Sequence, residues 1–91
     1  MNIVIHERIK RRHPEVSKED IIDAIENTIN WIQRLNHNGE IFGVGVTSGG
    51  KFIEYTYMEY RGEILVYHAQ YATNNSFKAI GLTNRRYYED R

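Results

Sequence analysis

The chain has 91 residues, with twelve Lys plus Arg against twelve Asp plus Glu, no cysteine and one proline. This composition excludes a disulfide framework, a thiolate metal site and a general polycation, and the length suits a single small α+β domain over 1–91 with one helix layer on one sheet. No apolar run approaches the ~20 residues that span a bilayer, and Ile3-Val4-Ile5 is too short for a signal-peptide core, so no membrane contact and a cytoplasmic location are expected.

Residues 5–13 read as a short helix stopped by Pro14, because the residue before a proline is pushed out of the helical region. Ile5 and Ile9 share one face, Arg8 and Arg12 another, and Glu7 and Arg11 can pair. His6 and His13 frame this basic segment. A second helix starts at Ser17, a good N-cap, with Asp20 three residues on. Acidic residues crowd its first turns, and Ile22, Ile25, Ile29 and Ile32 recur at helical spacing, so the helix is expected to run to about Leu35 with Trp31 at its edge. The segment Asn36-His37-Asn38-Gly39 is a loop by composition.

Three strands follow, at 40–47, 51–60 and 63–71. A two-residue hairpin loop at Gly49-Gly50 places Val46 opposite Ile53, Val44 opposite Tyr55 and Phe42 opposite Tyr57. A three-residue loop at Arg61-Gly62-Glu63 places Tyr57 opposite Tyr67 and Tyr55 opposite Ala69. One face then carries Phe42, Val44, Val46, Ile53, Tyr55, Tyr57, Leu65, Tyr67 and Ala69. The other carries Gly43, Gly45, Thr47, Glu54, Thr56, His68 and Gln70, with Glu54 and His68 diagonal on neighbouring strands. The expected fold is two N-terminal helices on one face of a three-stranded antiparallel meander, with a bare polar front. Thr73 or Asn74 caps a short C-terminal helix ending near Gly81, and 83–91 is compatible with a short helix, a docked tail or disorder.

Charge is unevenly spread. Arg8, Lys10, Arg11 and Arg12 make a basic head, Glu15, Glu19, Asp20, Asp23 and Glu26 an acidic helix, and Lys78, Arg85, Arg86 and Arg91 a basic tail. Such asymmetry permits a local nucleic-acid footprint on a neutral chain.

The run Glu63-Ile64-Leu65-Val66-Tyr67-His68-Ala69, then Tyr71-Ala72-Thr73, then Arg85-Arg86-Tyr87-Tyr88-Glu89, resembles the end of a BrnT-like toxin. The hairpin at 41–60 and the basic, histidine-bearing stretch from His6 to Pro14 are similar to the earlier parts of such proteins. The resemblance implies a helix-plus-sheet fold related to RelE-type ribonuclease toxins and a small DNA-binding antitoxin as cognate partner.

Metal-independent RNA cleavage needs a base for the ribose 2′-hydroxyl, a cation for the phosphate and an acid for the leaving oxygen. His68 and Glu54 are the candidates for proton transfer, and Arg61 joins them at the reacting phosphate. Arg8 and Arg12 are candidate RNA-binding residues, with Lys78 as a further phosphate contact. Tyr60, Tyr71, Tyr87 and Tyr88 are free to stack bases. The four histidines form no HxxxH pair, and neither a metal nor another cofactor is expected. Two other classes remain open: a non-catalytic module binding a partner protein on the polar sheet face, and a homo-oligomer joined through the edge at 63–71 or 40–47.

Overall fold

The computed structural model describes residues 2–34 and 39–81. The expectations for Asn36–Asn38, for Arg85, Arg86, Tyr87 and Tyr88, and for the tail at 83–91 lie outside the described residues. The elements are β1 (Asn2–Ile5), α1 (Glu7–Arg12), α2 (Lys18–Glu26), β2 (Thr28–Arg34), β3 (Glu40–Val46), β4 (Phe52–Tyr60), β5 (Glu63–Tyr71) and α3 (Asn74–Ala79). The fold is α+β, but the three-stranded meander under two N-terminal helices is not what forms. The sheet has five strands in the order β1-β5-β4-β3-β2, with β1 parallel to β5 and every other pair antiparallel.

Of the two extra strands, β2 takes the second half of the expected long helix, and β1 overlaps the expected first helix only at Ile5. Ile3, Val4 and Ile5 are β-branched, and they extend along β5 with Ile3 opposite Ile64 and Ile5 opposite Val66. The first helix therefore begins only at Glu7, where the His6 ring caps it by accepting from the Arg8 amide. In α2, Ser17 caps the start by accepting from the Asp20 amide at 3.1 Å. The helix is nine residues long and stops at Asn27 rather than near Leu35. The Thr28 hydroxyl donates to the Ile25 carbonyl at 2.6 Å, closing the last turn, and Thr28, Ile29, Trp31 and Ile32 continue as a strand. Isoleucines at 22, 25, 29 and 32 fit a helical stripe, yet Ile32 pairs with Phe42 on β3 and Ile29 lies at a bulge in β2.

The hairpins also differ from the expected registers. Thr47 N–H donates to the Lys51 carbonyl and Gly50 N–H to the Thr47 carbonyl, with Gly50 at φ +82°. The loop is thus the three-residue kind with a left-handed last residue, which slips β3 by one place and pairs Val44 with Glu54 and Phe42 with Thr56. The β4–β5 turn is conversely two residues, Arg61 and Gly62, both at positive φ as a mirror-image hairpin turn requires. A bulge restores Tyr55 opposite Ala69 and Thr56 opposite His68, while Tyr57 meets Val66 rather than Tyr67.

The one-place slip changes what each face carries, and helices cover both. On the back, α1 and α2 bring Ile9, Val16, Ile21 and Ala24 against Ile53, Tyr55, Val66 and Ala69. On the front, α3 brings Ile80 and Phe77 against Phe42, Val44 and Ile32. A strand covered on both sides reads as nearly continuous apolar sequence, which is why β3 does not alternate. Each fully buried aliphatic side chain here contributes about 1.5–3 kcal/mol. Gly43 and Gly45 are not a bare polar floor. A Cβ at Gly45 would run into the Ala24 carbonyl, and one at Gly43 into the Tyr55 ring, so these glycines let α2 and Tyr55 lie close on the back of the sheet. No helix among the described residues is long and apolar enough to cross a membrane.

Candidate functional site

Glu54 lies mid-way along β4 opposite Gln70, and Thr56 lies opposite His68 on β5. Glu54 and His68 therefore face the same side on a diagonal, and their side chains meet: His68 Nε2 is 2.6 Å from Glu54 Oε2. The second carboxylate oxygen is taken from above. Ser76, on α3, donates its hydroxyl to Glu54 Oε1 and accepts from the Thr73 amide at 2.8 Å. The start of α3 is thus built so that its capping serine also clamps the carboxylate. Glu54 is 8% exposed and Ser76 2%.

Burial pushes the Glu54 carboxyl upward, but hydrogen bonds from His68 and Ser76, the charge of the imidazole and a hydrogen bond from Gln70 outweigh it and hold the group below its ordinary range. Glu54 is therefore ionised at neutral pH and can only accept. His68 Nε2 must then carry the hydrogen, which leaves Nδ1 as the working nitrogen, and Nδ1 makes no hydrogen bond to the described residues.

His68 also forms the wall of a cavity on the other side, where α1 crosses the β5 edge. Beyond the end of the short β1, the His6 amide donates to the Val66 carbonyl at 2.8 Å and Arg8 Nε to the Tyr67 carbonyl at 2.8 Å. The Arg8 guanidinium also lies 5.5 Å from the centre of the Tyr67 ring. His13, just past the end of α1, stands edge-on to His68 with ring centres 6.0 Å apart. Arg8, Ile9, Arg12, His13, Tyr67 and His68 line a partly open cavity of about 150 Å³. Arg8 and Arg12 are one helical turn apart, and Arg12 makes no ion pair among the described residues.

The structure thus brings His68, Glu54, Arg8 and Arg12 into one neighbourhood. It does not bring Arg61 there. Arg61 occupies the β4–β5 turn with its guanidinium over the Tyr60 ring, 5.1 Å from its centre. Five residues of extended chain separate it from Thr56, roughly 17 Å along the strand. Lys78 is exposed on α3, two residues from Ser76 and so on a different side of that helix. Three contributors escape sequence reading. Ser76 is signalled only by its place three residues after the cap Thr73, Tyr67 by nothing, and His13 only by its place among basic residues.

Family models, curated proteins and solved structures show no match to this chain. The BrnT-like resemblance therefore stands on the residues quoted for it alone.

Proposed function

We propose that this chain is a metal-independent ribonuclease whose chemistry is carried by His68, oriented and charge-balanced by Glu54. The supporting observation is the 2.6 Å contact between them, behind a cavity that Arg8 and Arg12 help to line. The buried carboxylate fixes the imidazole tautomer and stabilises the imidazolium that forms when the ring takes a proton. Arginine supplies the planar donor set that phosphate oxygens need. The resemblance of 63–88 to BrnT-like toxins supports a role in a type II toxin–antitoxin pair, acting on RNA in the cytoplasm with an antitoxin as cognate partner. The direct test is purified protein on single-stranded RNA in the presence of a chelator, beside His68→Ala. Cleavage by the wild type and its loss in a folded variant would support the reading; no cleavage at any concentration by soluble wild type would sink it.

A non-catalytic binding module is the second reading, and one observation favours it. Trp31, on the outer strand β2, is 54% exposed, and Ile29 beside it is 38% exposed. Large apolar side chains on a sheet edge that is unpaired among the described residues suit strand addition by a protein partner or by a second copy of the chain.

A further inference from the structure

In-line displacement at phosphorus puts the attacking and leaving oxygens on opposite sides of the reacting atom. One imidazole cannot readily touch both. The cavity at the α1–β5 edge has a second imidazole in its wall: His13, 6.0 Å from His68 and perpendicular to it. We propose that His13 is the second proton carrier of this site, that the scissile phosphate sits in the cavity that both rings line, against Arg8 and Arg12, and that cleavage leaves a 2′,3′-cyclic phosphate and a free 5′-hydroxyl. The inference rests on the ribonuclease reading and assigns its division of labour.

His68 suits the base. Its Nε2 hydrogen is anchored on Glu54, so Nδ1 has the lone pair that takes the 2′-hydroxyl proton. The 2′-oxygen then bonds to phosphorus while the P–O5′ bond breaks. His13, protonated, gives its proton to the departing 5′-oxygen. One proton enters His68 and one leaves His13, no electrons are transferred to or from the substrate, and exchange with water resets both rings. His13 is held for this task. Its amide donates to the Ile9 carbonyl at 2.7 Å, and its Nδ1 is 3.7 Å from Glu15 Oε2. Arg8 Nε is committed to the Tyr67 carbonyl, which fixes the guanidinium and leaves its terminal nitrogens for phosphate oxygens. The cavity of about 150 Å³ opens to solvent and has room for a phosphate group.

A leaving group that needs no proton separates the two roles. The full chain, His13→Asn and His68→Gln are compared on a short RNA and on uridine 3′-(4-nitrophenyl phosphate), with folding checked by circular dichroism; His13→Gln replaces His13→Asn should the latter fail to fold. The expected result is that the His13 variant loses ~10²-fold or more on RNA yet stays near wild type on the nitrophenyl ester, that His68→Gln loses both, and that phosphorus NMR of the wild-type product shows the cyclic phosphate. Wild-type rates of the His13 variant on RNA, or equal losses on both substrates, would overturn the role of His13 and leave the ribonuclease reading intact. A wild type inactive on both substrates would overturn both.

Discussion

Ser76 reaches across from α3 to hold Glu54 on β4, so the carboxylate that touches His68 is fixed by a helix that begins only after the last strand ends. Removing the hydroxyl leaves Glu54 Oε1 without its partner beneath a covered sheet face. Ser76→Ala is expected to destabilise the fold by about 1–3 kcal/mol, the cost of an unsatisfied buried acceptor. Urea denaturation measures it. Combined with Glu54→Gln, the two losses should fall short of their sum, because the residues share one network. Strict additivity would mean the contact is not made in solution.

Acid should act on the same carboxyl. Burial raises Glu54, but the hydrogen bonds from His68 and Ser76 lower it more, so the folded value lies below the ordinary 4.5. As pH falls, the unfolded chain takes this proton first. The stability that Glu54 contributes is therefore complete above 4.5 and is lost as pH drops through the folded value. Asp23 is held below its ordinary 3.8 and works in the same direction, so the test is a difference. Urea midpoints of wild type and Glu54→Gln, at neutral pH and in the window below 4.5, should converge on acidification. A constant gap would show that Glu54 does not titrate as described.

Two glycines on β3 and its following loop should answer differently to one methyl group. At Gly45 the added Cβ meets the Ala24 carbonyl of α2, backbone against backbone, and neither side can turn away. Gly45→Ala is expected to cost about 1–3 kcal/mol through overpacking. At Gly49 the nearest atom is Thr47 Oγ1 at 3.7 Å, an ordinary contact, and Gly49→Ala should stay within ~0.5 kcal/mol of wild type. Thermal melts of the two variants decide whether α2 rests on Gly45.

These glycines also mark where sequence reading ran out. A three-residue loop at 61–63 predicts Tyr55 opposite Ala69; the turn has two residues, but the bulge between Thr56 and Tyr57 restores that pairing and keeps Glu54 and His68 diagonal. The β3 register depends on a single residue of loop length between Thr47 and Lys51, and nothing in Ser48-Gly49-Gly50 separates a two-residue from a three-residue loop. A loop one residue shorter would put Phe42 and Val44 on the opposite face and leave the front bare. The isoleucine stripe across 22–32 satisfied helical spacing although its second half pairs with β3. His13 meets His68 only because β1 runs parallel to β5 and delivers α1 to that edge, a contact between residues 55 positions apart that no local pattern encodes.

Asp23 is the remaining test, because it pins the loop that sets this register. On α2 it is one of four acids, with Glu19, Asp20 and Glu26. In the structure its Oδ2 accepts from the Ser48 amide at 2.8 Å and the Ser48 hydroxyl at 2.6 Å, while Oδ1 accepts from Asn27 at 2.8 Å. The Ser48 hydroxyl and then its amide are what hold the carboxyl low. Asp23→Ala should free the Ser48 amide while the Gly50 amide keeps its bond to the Thr47 carbonyl. Amide hydrogen exchange followed by NMR is therefore expected to quicken at Ser48 and to change little at Gly50. Faster exchange at both would mean that Asp23 holds the turn itself, and unchanged exchange at Ser48 would mean that α2 does not grip the loop.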